Sequence, residues 1–535
     1  MEKANNLLKI GISLYKAGNY NESYKNLTGV TRLDPENAAA YHYLGLILFQ
    51  IAKSKNVEKY YRESCKNYER AVQIKKDYTF VLQDWGIALY VLQKNKEAKF
   101  LFMELCKRFA QAVNSAQIKP KDFNIFGTVL YEFAKTYQEE PSFKKSLFTE
   151  AVNCFKKSGK DILEILVSFH DKEDREYLIE EKIFHQFLLS SDNFDGHIFN
   201  EAIKNIKDEK VKKDETKLEK YRKAYIRSIS VISLLHVNNE NEKLVATYRE
   251  KTISQQMLLN DTKFRLTAVN YSNDPTEGKI LFDYLFGKEK LSIDESINRE
   301  YGEFAGCFIF NHDSLNMFRL YGKEEGKEGT GLSLVFKSSF FREKPQSAQK
   351  QLENIEDSNI DEKETKHALF RCIYIDPETR RVENVGYKED YLFYRNEKEI
   401  ETDEEIRKKI FDYHRFITDI TENVRIKMEE LKKLVENLEM EVVGQLLLNL
   451  RYLIKHIAFK EEQECRILKI DRLKNNTDIK LSDDYKQMYI EYNPKVSSHV
   501  EKVIFGPKAD GMELFRDMLT HKSILTFFMK NLKTL

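Results

Sequence analysis

The chain has 535 residues, too many for one ordinary core, so two or three domains are expected. Hydrophobic residues at 41% and aromatics at 12% exclude a disordered protein. Lys+Arg (87) against Asp+Glu (86) leaves a net charge of +1, which gives no whole-chain footprint for nucleic acid or an anionic membrane. The N-terminus is polar, with no apolar stretch before a cleavage site, and no run approaches the roughly 18 apolar residues of a membrane span. A cytoplasmic protein is expected, although one exported without a cleavable signal peptide would read the same. The cysteines are widely spaced and form no CxxC pair, so neither a zinc site nor a disulfide framework is expected.

In chain order, the first elements repeat. Gly11, Tyr15, Tyr20, Ser23, Leu27 and Pro35 are echoed by Gly45, Phe49, Ser64, Tyr68 and Ala71, then by Trp85, Gly86, Tyr90, Ala98 and Phe102. Gly11 to Gly45 is 34 residues and Gly45 to Gly86 is 41, which places about seven extra residues near positions 53–63. A looser fourth unit follows with Phe126, Gly127, Tyr131, Ala151 and Phe155. This pattern is similar to the tetratricopeptide (TPR) repeat, in which paired helices cross at small residues. The resemblance implies an all-α superhelix over residues 1–165 whose groove holds a protein or peptide. A generic helical bundle is the alternative. Residues 166–243 read as a helical cap or linker, with a solvated charged face over 204–227.

After residue 244 the pattern changes to short β-prone runs, Phe264 to Thr267, Cys307 to Phe310, Leu332 to Phe336, Phe370 to Ile375, Cys465 to Ile470 and Val503 to Phe505. A long helical stretch spans 404–456, with a break expected near Gly444, and residues 344–364 read as a surface excursion. An α+β domain with a mixed or antiparallel sheet and a long helical insertion is therefore expected over 244–535. The strings "FRLTAVNYSNDPTEGKILFDYL", "CFIFNHDSLNMFRLYGKEEGKEGTGLSLVF", "FKEEQECRIL" and "VEKVIFGPKA" follow in that order. Together they resemble the bacterial domain-of-unknown-function family DUF2971, whose members carry an Asn-Asp-Pro-x-Glu turn, a Tyr-Gly…Gly loop and a Glu-x-Glu-x-Arg strand.

That resemblance leads to a relationship with the ADP-ribosyltransferase fold and to NAD as the cofactor. It implies catalysis by Glu464 assisted by Glu462, both expected on one side of an extended strand. It implies a ligand site formed by Arg265, Tyr248, Arg249, Tyr321 and Glu277, with Arg265 on the pyrophosphate. The carboxylate would stabilise an oxocarbenium-like ribose as nicotinamide leaves. The chain departs from the family at Thr247, where His is usual, and at Ile309, where Ser is usual. Arg249 is a substitute for the first contact.

Structural readings stand beside these. Glu462 and Glu464 would form a ladder with Arg466 or Arg371, and Arg265 would pair with Asp274 or Glu277. The turn 273–275 follows from its Asn-Asp-Pro chemistry alone. The "GKEEGKEGTG" stretch at 322–331 lacks the Gly-Lys-Ser/Thr of a phosphate loop and reads as a mobile surface loop. His312 and His456 are isolated, and there is no HExxH, GxSxG or GxGxxG motif after a strand. No metal site is expected. The leading expectation is a protein-binding scaffold joined to a domain that binds a nucleotide-type ligand or a protein partner. The alternative is an enzyme that uses NAD to modify a recruited target. By family resemblance either suits a bacterial effector or defence protein.

Overall fold

A computed structural model describes residues 2–55, 57–75, 141–158, 194–204, 212–237, 242–269, 276–287, 301–341, 366–396, 402–483, 485–522 and 528–531, with isolated positions between 81 and 166 and at 206. The described residues fall into two compact units, one within Met1–Ile183 and one from Phe184 onward. The first is helical and the second combines helices with sheet.

The N-terminal unit begins with α1 (Glu2–Lys16), α2 (Tyr20–Leu33), α3 (Ala38–Lys55) and α4 (Glu58–Ile74). Gly18, at φ 76°, turns the chain between α1 and α2, and Asn19 caps α2 by accepting from the Glu22 N–H. The small residues sit where helices cross. Ser23 Oγ donates to Gly11 O at 2.7 Å, and Ser64 Oγ donates to Gly45 O at 2.7 Å. A Cβ on Gly11 would lie 2.7 Å from Leu27 Cγ, and one on Gly45 would run into the Tyr68 ring. The extra residues near 53–63 do not form a loop, because only residues 56 and 57 separate α3 from α4. They lengthen both helices instead, so Ser64 still reaches Gly45. The expected partner of Gly86, Ala98, lies outside the described residues. Further on, Gly127 packs against Phe155 from α5 (Pro141–Lys157), with the ring 2.9 Å from where a Cβ would stand.

The second unit holds β1 (Leu244–Arg249), β2 (Phe264–Ala268), β3 (Tyr301–Ile309), β4 (Lys323–Glu324), β5 (Lys327–Glu328), β6 (Leu332–Lys337), β7 (Leu369–Arg371), β8 (Ile373–Asp376), β9 (Arg381–Val385) and β10 (Ile454–His456). It continues with β11 (Glu464–Arg472), β12 (Ile479–Leu481), β13 (Met488–Tyr492), β14 (Val500–Phe505) and β15 (Phe528–Asn531). Among the described residues these form a ten-stranded sheet, ordered β12-β13-β2-β3-β1-β6-β14-β15 with β11 and β7 branching from β3. Strands β10-β8-β9 form a separate sheet, and β4-β5 a hairpin.

The large sheet forks at β3. One edge of β3 pairs with β11 along its whole length, from Tyr301 opposite Arg472 to Ile309 opposite Glu464. Its other edge is shared, with Phe304 and Ala305 paired to β2 and Ile309 paired to β1. Residues 306–308 pair with neither arm. One face of the sheet carries an aromatic core in which Phe308 stacks on Phe264 at 5.1 Å and meets Phe336 edge-on at 5.6 Å.

Three expectations are corrected here. The run Phe370 to Ile375 is not one strand: it breaks at Cys372, with β7 pairing to β11 and β8 passing into the smaller sheet. The long helix α6 (Asp403–Val435), started by a Thr402–Glu405 capping box, ends before residues 436–439; Gly444 lies inside the next helix, Met440–Leu446. The break near it falls at Leu447, before a short helix, Leu448–Arg451, and the expected helical stretch stops short of residues 454–456, which are strand β10. One glycine costs a helix only about 1 kcal/mol, and the buried Val442, Val443 and Leu446 around it outweigh that. Residues 322–331 form the β4-β5 hairpin, whose base is fixed by Gly331 N–H to Gly322 O and Gly329 N–H to Phe318 O. The helix Glu215–Leu234, from the segment expected as cap or linker, buries Tyr225, Ile229 and Ile232 and packs on α6. Residues 344–364 and the turn at 273–275 lie outside the described residues.

Candidate functional site

Strand alternation sends Phe264, Phe304 and Phe308 to the core and leaves Arg265, Ala305, Cys307, Ile309, Glu464 and Arg466 on the opposite face. There they line a cavity of about 450 Å³. Arg249 shares its parity with the core residue Val245, yet it lines the same cavity. It does so where the two arms of the sheet separate, with its guanidinium 4.5 Å above the Phe264 ring.

All seven residues singled out from the sequence, Glu464, Glu462, Arg265, Tyr248, Arg249, Tyr321 and Glu277, line this one cavity. Their surroundings differ. Tyr248 is buried, its hydroxyl donating to Asn311 O at 2.6 Å and accepting from the Ser314 N–H at 2.9 Å, so it offers the cavity mainly ring surface. Arg265 is exposed and lies 4.2 Å over the Tyr489 ring. It does not pair with Glu277, whose carboxylate accepts from Arg466 instead. Asp274, the other expected partner, is outside the described residues. Among the described residues neither Arg249 nor Arg265 forms an ion pair, and Arg249 Nε is buried without a hydrogen-bond partner. Burial, with a smaller contribution from the Arg265 charge, pulls the Arg249 guanidinium down to about 10, and it remains a cation at neutral pH.

The carboxylates are tied together. Arg466 Nε donates to Glu464 Oε1 at 2.7 Å, and Nη2 donates to Oε2 at 3.1 Å. Lys455 Nζ donates to Glu464 Oε2 at 2.5 Å and also to Glu462 Oε2, whose other oxygen accepts from the Tyr321 hydroxyl. The Cys307 thiol, which lines the cavity, also hydrogen-bonds Glu464. Burial alone would raise the Glu464 carboxyl, but the Arg466 and Lys455 charges hold it well below the usual carboxylate range. Burial raises the Glu462 carboxyl, with Lys455 opposing and Glu464 adding. Burial, then the Glu464 charge, pushes the Cys307 thiol well up.

The two glutamates do not share a strand face, as the extended reading expected. Glu462 ends a 3₁₀ turn (Ile457–Glu462), Gln463 is left-handed at φ 47°, and β11 starts at Glu464. The kink brings both side chains to Lys455. It is held by Gln463 Oε1 accepting from the Tyr387 N–H at 2.9 Å and Gln463 Nε2 donating to Lys460 O at 2.7 Å. Gly386 is required beside it, because a Cβ there would lie 2.6 Å from Glu464 O. Arg371, the other expected ladder partner, is fully buried against Glu242 instead.

Sequence reasoning missed Lys455, Phe459 and Gln487 on the cavity wall. A signal for Lys455 existed, since it is a lone charge inside the apolar run "YLIKHIAF".

Residues 317–467 match a family model described as a protein of unknown function (DUF2971). The match covers Tyr321, Lys455, Glu462, Glu464 and Arg466, and stops short of Arg249, Arg265 and Glu277. No curated protein matches the chain. No helix among the described residues is long and apolar enough to cross a membrane.

Proposed function

We propose that the α+β unit binds a nucleotide-type ligand in the fork of its sheet, with phosphate oxygens against Arg249 and Arg265. The observation that carries this reading is that both guanidinium groups line the cavity without a carboxylate partner among the described residues. Planar guanidinium forks suit phosphate oxygens, and the cavity is within the ~300–1,000 Å³ of small-molecule sites. The N-terminal helices fit a TPR scaffold over 1–165, supported by the glycine–serine crossings at Gly11 and Gly45, with a protein or peptide as its partner. Residues 166–243 then connect it to the ligand-binding domain at 244–535.

Calorimetric titration of the full chain with NAD and ADP-ribose tests the ligand. Binding should weaken at least about tenfold in Arg249→Ala and in Arg265→Ala, the loss of one charge-assisted phosphate contact. Absence of heat with both ligands overturns the reading.

A second reading is favoured by Glu462 and Glu464 on the same wall: an ADP-ribosyltransferase-like enzyme using NAD to modify a protein recruited by the repeats. It ranks second because the Glu464 carboxylate is already engaged by Arg466 and Lys455. Label transfer from NAD to lysate proteins by the wild type, absent in Glu464→Gln, would promote it.

A further inference from the structure

We propose that Lys455 is a ligand-binding residue, and that the inner wall around it selects an uncharged acceptor oxygen such as a carboxamide or ring carbonyl. This rests on the nucleotide-site reading and specifies which end of the ligand goes inside.

An ammonium group has three donors. Lys455 gives two, to Glu462 and to Glu464, and no third acceptor stands against it among the described residues. The side chain nevertheless lines the cavity. The carboxylates beside it are occupied differently: Glu464 receives Arg466 through both oxygens as well as Lys455. The inner wall therefore has a donor to offer and little accepting capacity left.

Charge decides which acceptor fits. Lys455 and Arg466 are two cations against three carboxylates, Glu277, Glu462 and Glu464, all mutually bonded. Anionic oxygen placed there meets a net negative cluster in a low-dielectric pocket. A neutral carbonyl oxygen takes the hydrogen bond without that repulsion. Arg249 and Arg265 have the opposite character, two cations without carboxylates. The cavity is thus polarised, anion toward the arginines and uncharged acceptor toward Lys455. Phe459, 5.3 Å from the ammonium and on the same wall, adds apolar ring surface for a flat heterocycle.

Nicotinamide mononucleotide and nicotinic acid mononucleotide differ only in carboxamide against carboxylate, and so test the claim. Titrated into the full chain, the amide should bind at least about tenfold tighter. Glu462→Gln removes one negative charge at constant shape and should shrink that ratio. Lys455→Met should weaken the amide by a larger factor than it weakens ADP, which has no carboxamide and loses only the change in cavity charge. Where Lys455→Met fails to fold, the Glu462→Gln ratio still decides. Equal affinity for the two mononucleotides overturns the inference while leaving the nucleotide site intact. No binding of either, nor of ADP, overturns both.

Discussion

Lys455 and Glu464 belong to different sheets, yet the ammonium lies 2.5 Å from the carboxylate. The register explains it: Lys455 sits opposite Tyr374 in the small sheet, and the Tyr374 hydroxyl accepts from the Glu464 N–H at 2.8 Å. The small sheet thus grips the start of β11 twice. Removing one partner of a buried pair leaves an uncompensated charge, at a cost of about 3–5 kcal/mol. Lys455→Met should therefore lower the unfolding free energy obtained from urea titration by that order. A change below about 1 kcal/mol would mean the pair is dispensable.

Acid should act on the two glutamates in opposite directions. Glu464 has a folded value below the ordinary 4.5, so its contribution is complete above 4.5 and is lost as pH falls toward the folded value. Glu462 has a folded value above 4.5, so it favours the fold below 4.5 and that contribution is lost as pH rises through the folded value. Urea midpoints across the acid range should show a weaker acid-side decline in Glu464→Gln. In Glu462→Gln, stability should fall less as pH rises from 4.5.

Gln463 offers a backbone test. Its left-handed conformation costs an ordinary residue about 1 kcal/mol, and its side chain returns two hydrogen bonds. Gln463→Ala keeps the strain and loses the bonds; Gln463→Gly loses the bonds and the strain. The alanine variant should be the less stable by about 1 kcal/mol in equilibrium unfolding. The reverse order would show that the turn is not strained in solution.

Gly45→Ala should destabilise the helical unit by about 1–3 kcal/mol, since the new methyl group meets the buried Tyr68 ring. Gly18→Ala has open space and suffers only its positive φ, so it should cost about 1 kcal/mol. Helical ellipticity during thermal melting of both variants checks the order.

Much of this was legible where side-chain pattern and local structure agree. The run Leu332 to Phe336 is a strand buried throughout, and Cys465 to Ile470 is one buried except at Leu468 and Lys469. Gly11, Ser23, Gly45 and Ser64 could be placed at helix crossings because close backbone approach restricts residue size. The seven cavity residues came from a resemblance, and the fold then gathered them. What stayed hidden was set at long range. Lys455 lies on a three-residue strand whose pattern carries no period. Arg371 was a candidate partner for the glutamates until the chain crossed sheets at Cys372 and gave it Glu242. The Gln463 kink has no glycine to announce it.

The fork in the large sheet has a mechanical consequence. β11 is stitched to β3 from end to end, whereas β1 meets β3 at Ile309 and β2 meets it at Phe304 and Ala305. Spreading the two arms therefore strains few rungs, while shearing β11 would strain the whole ladder. The wall bearing Glu464 and Arg466 is the stiff jaw of the cavity. The arms bearing Arg249 and Arg265 form the compliant one, able to set its gape to the length of what it grips.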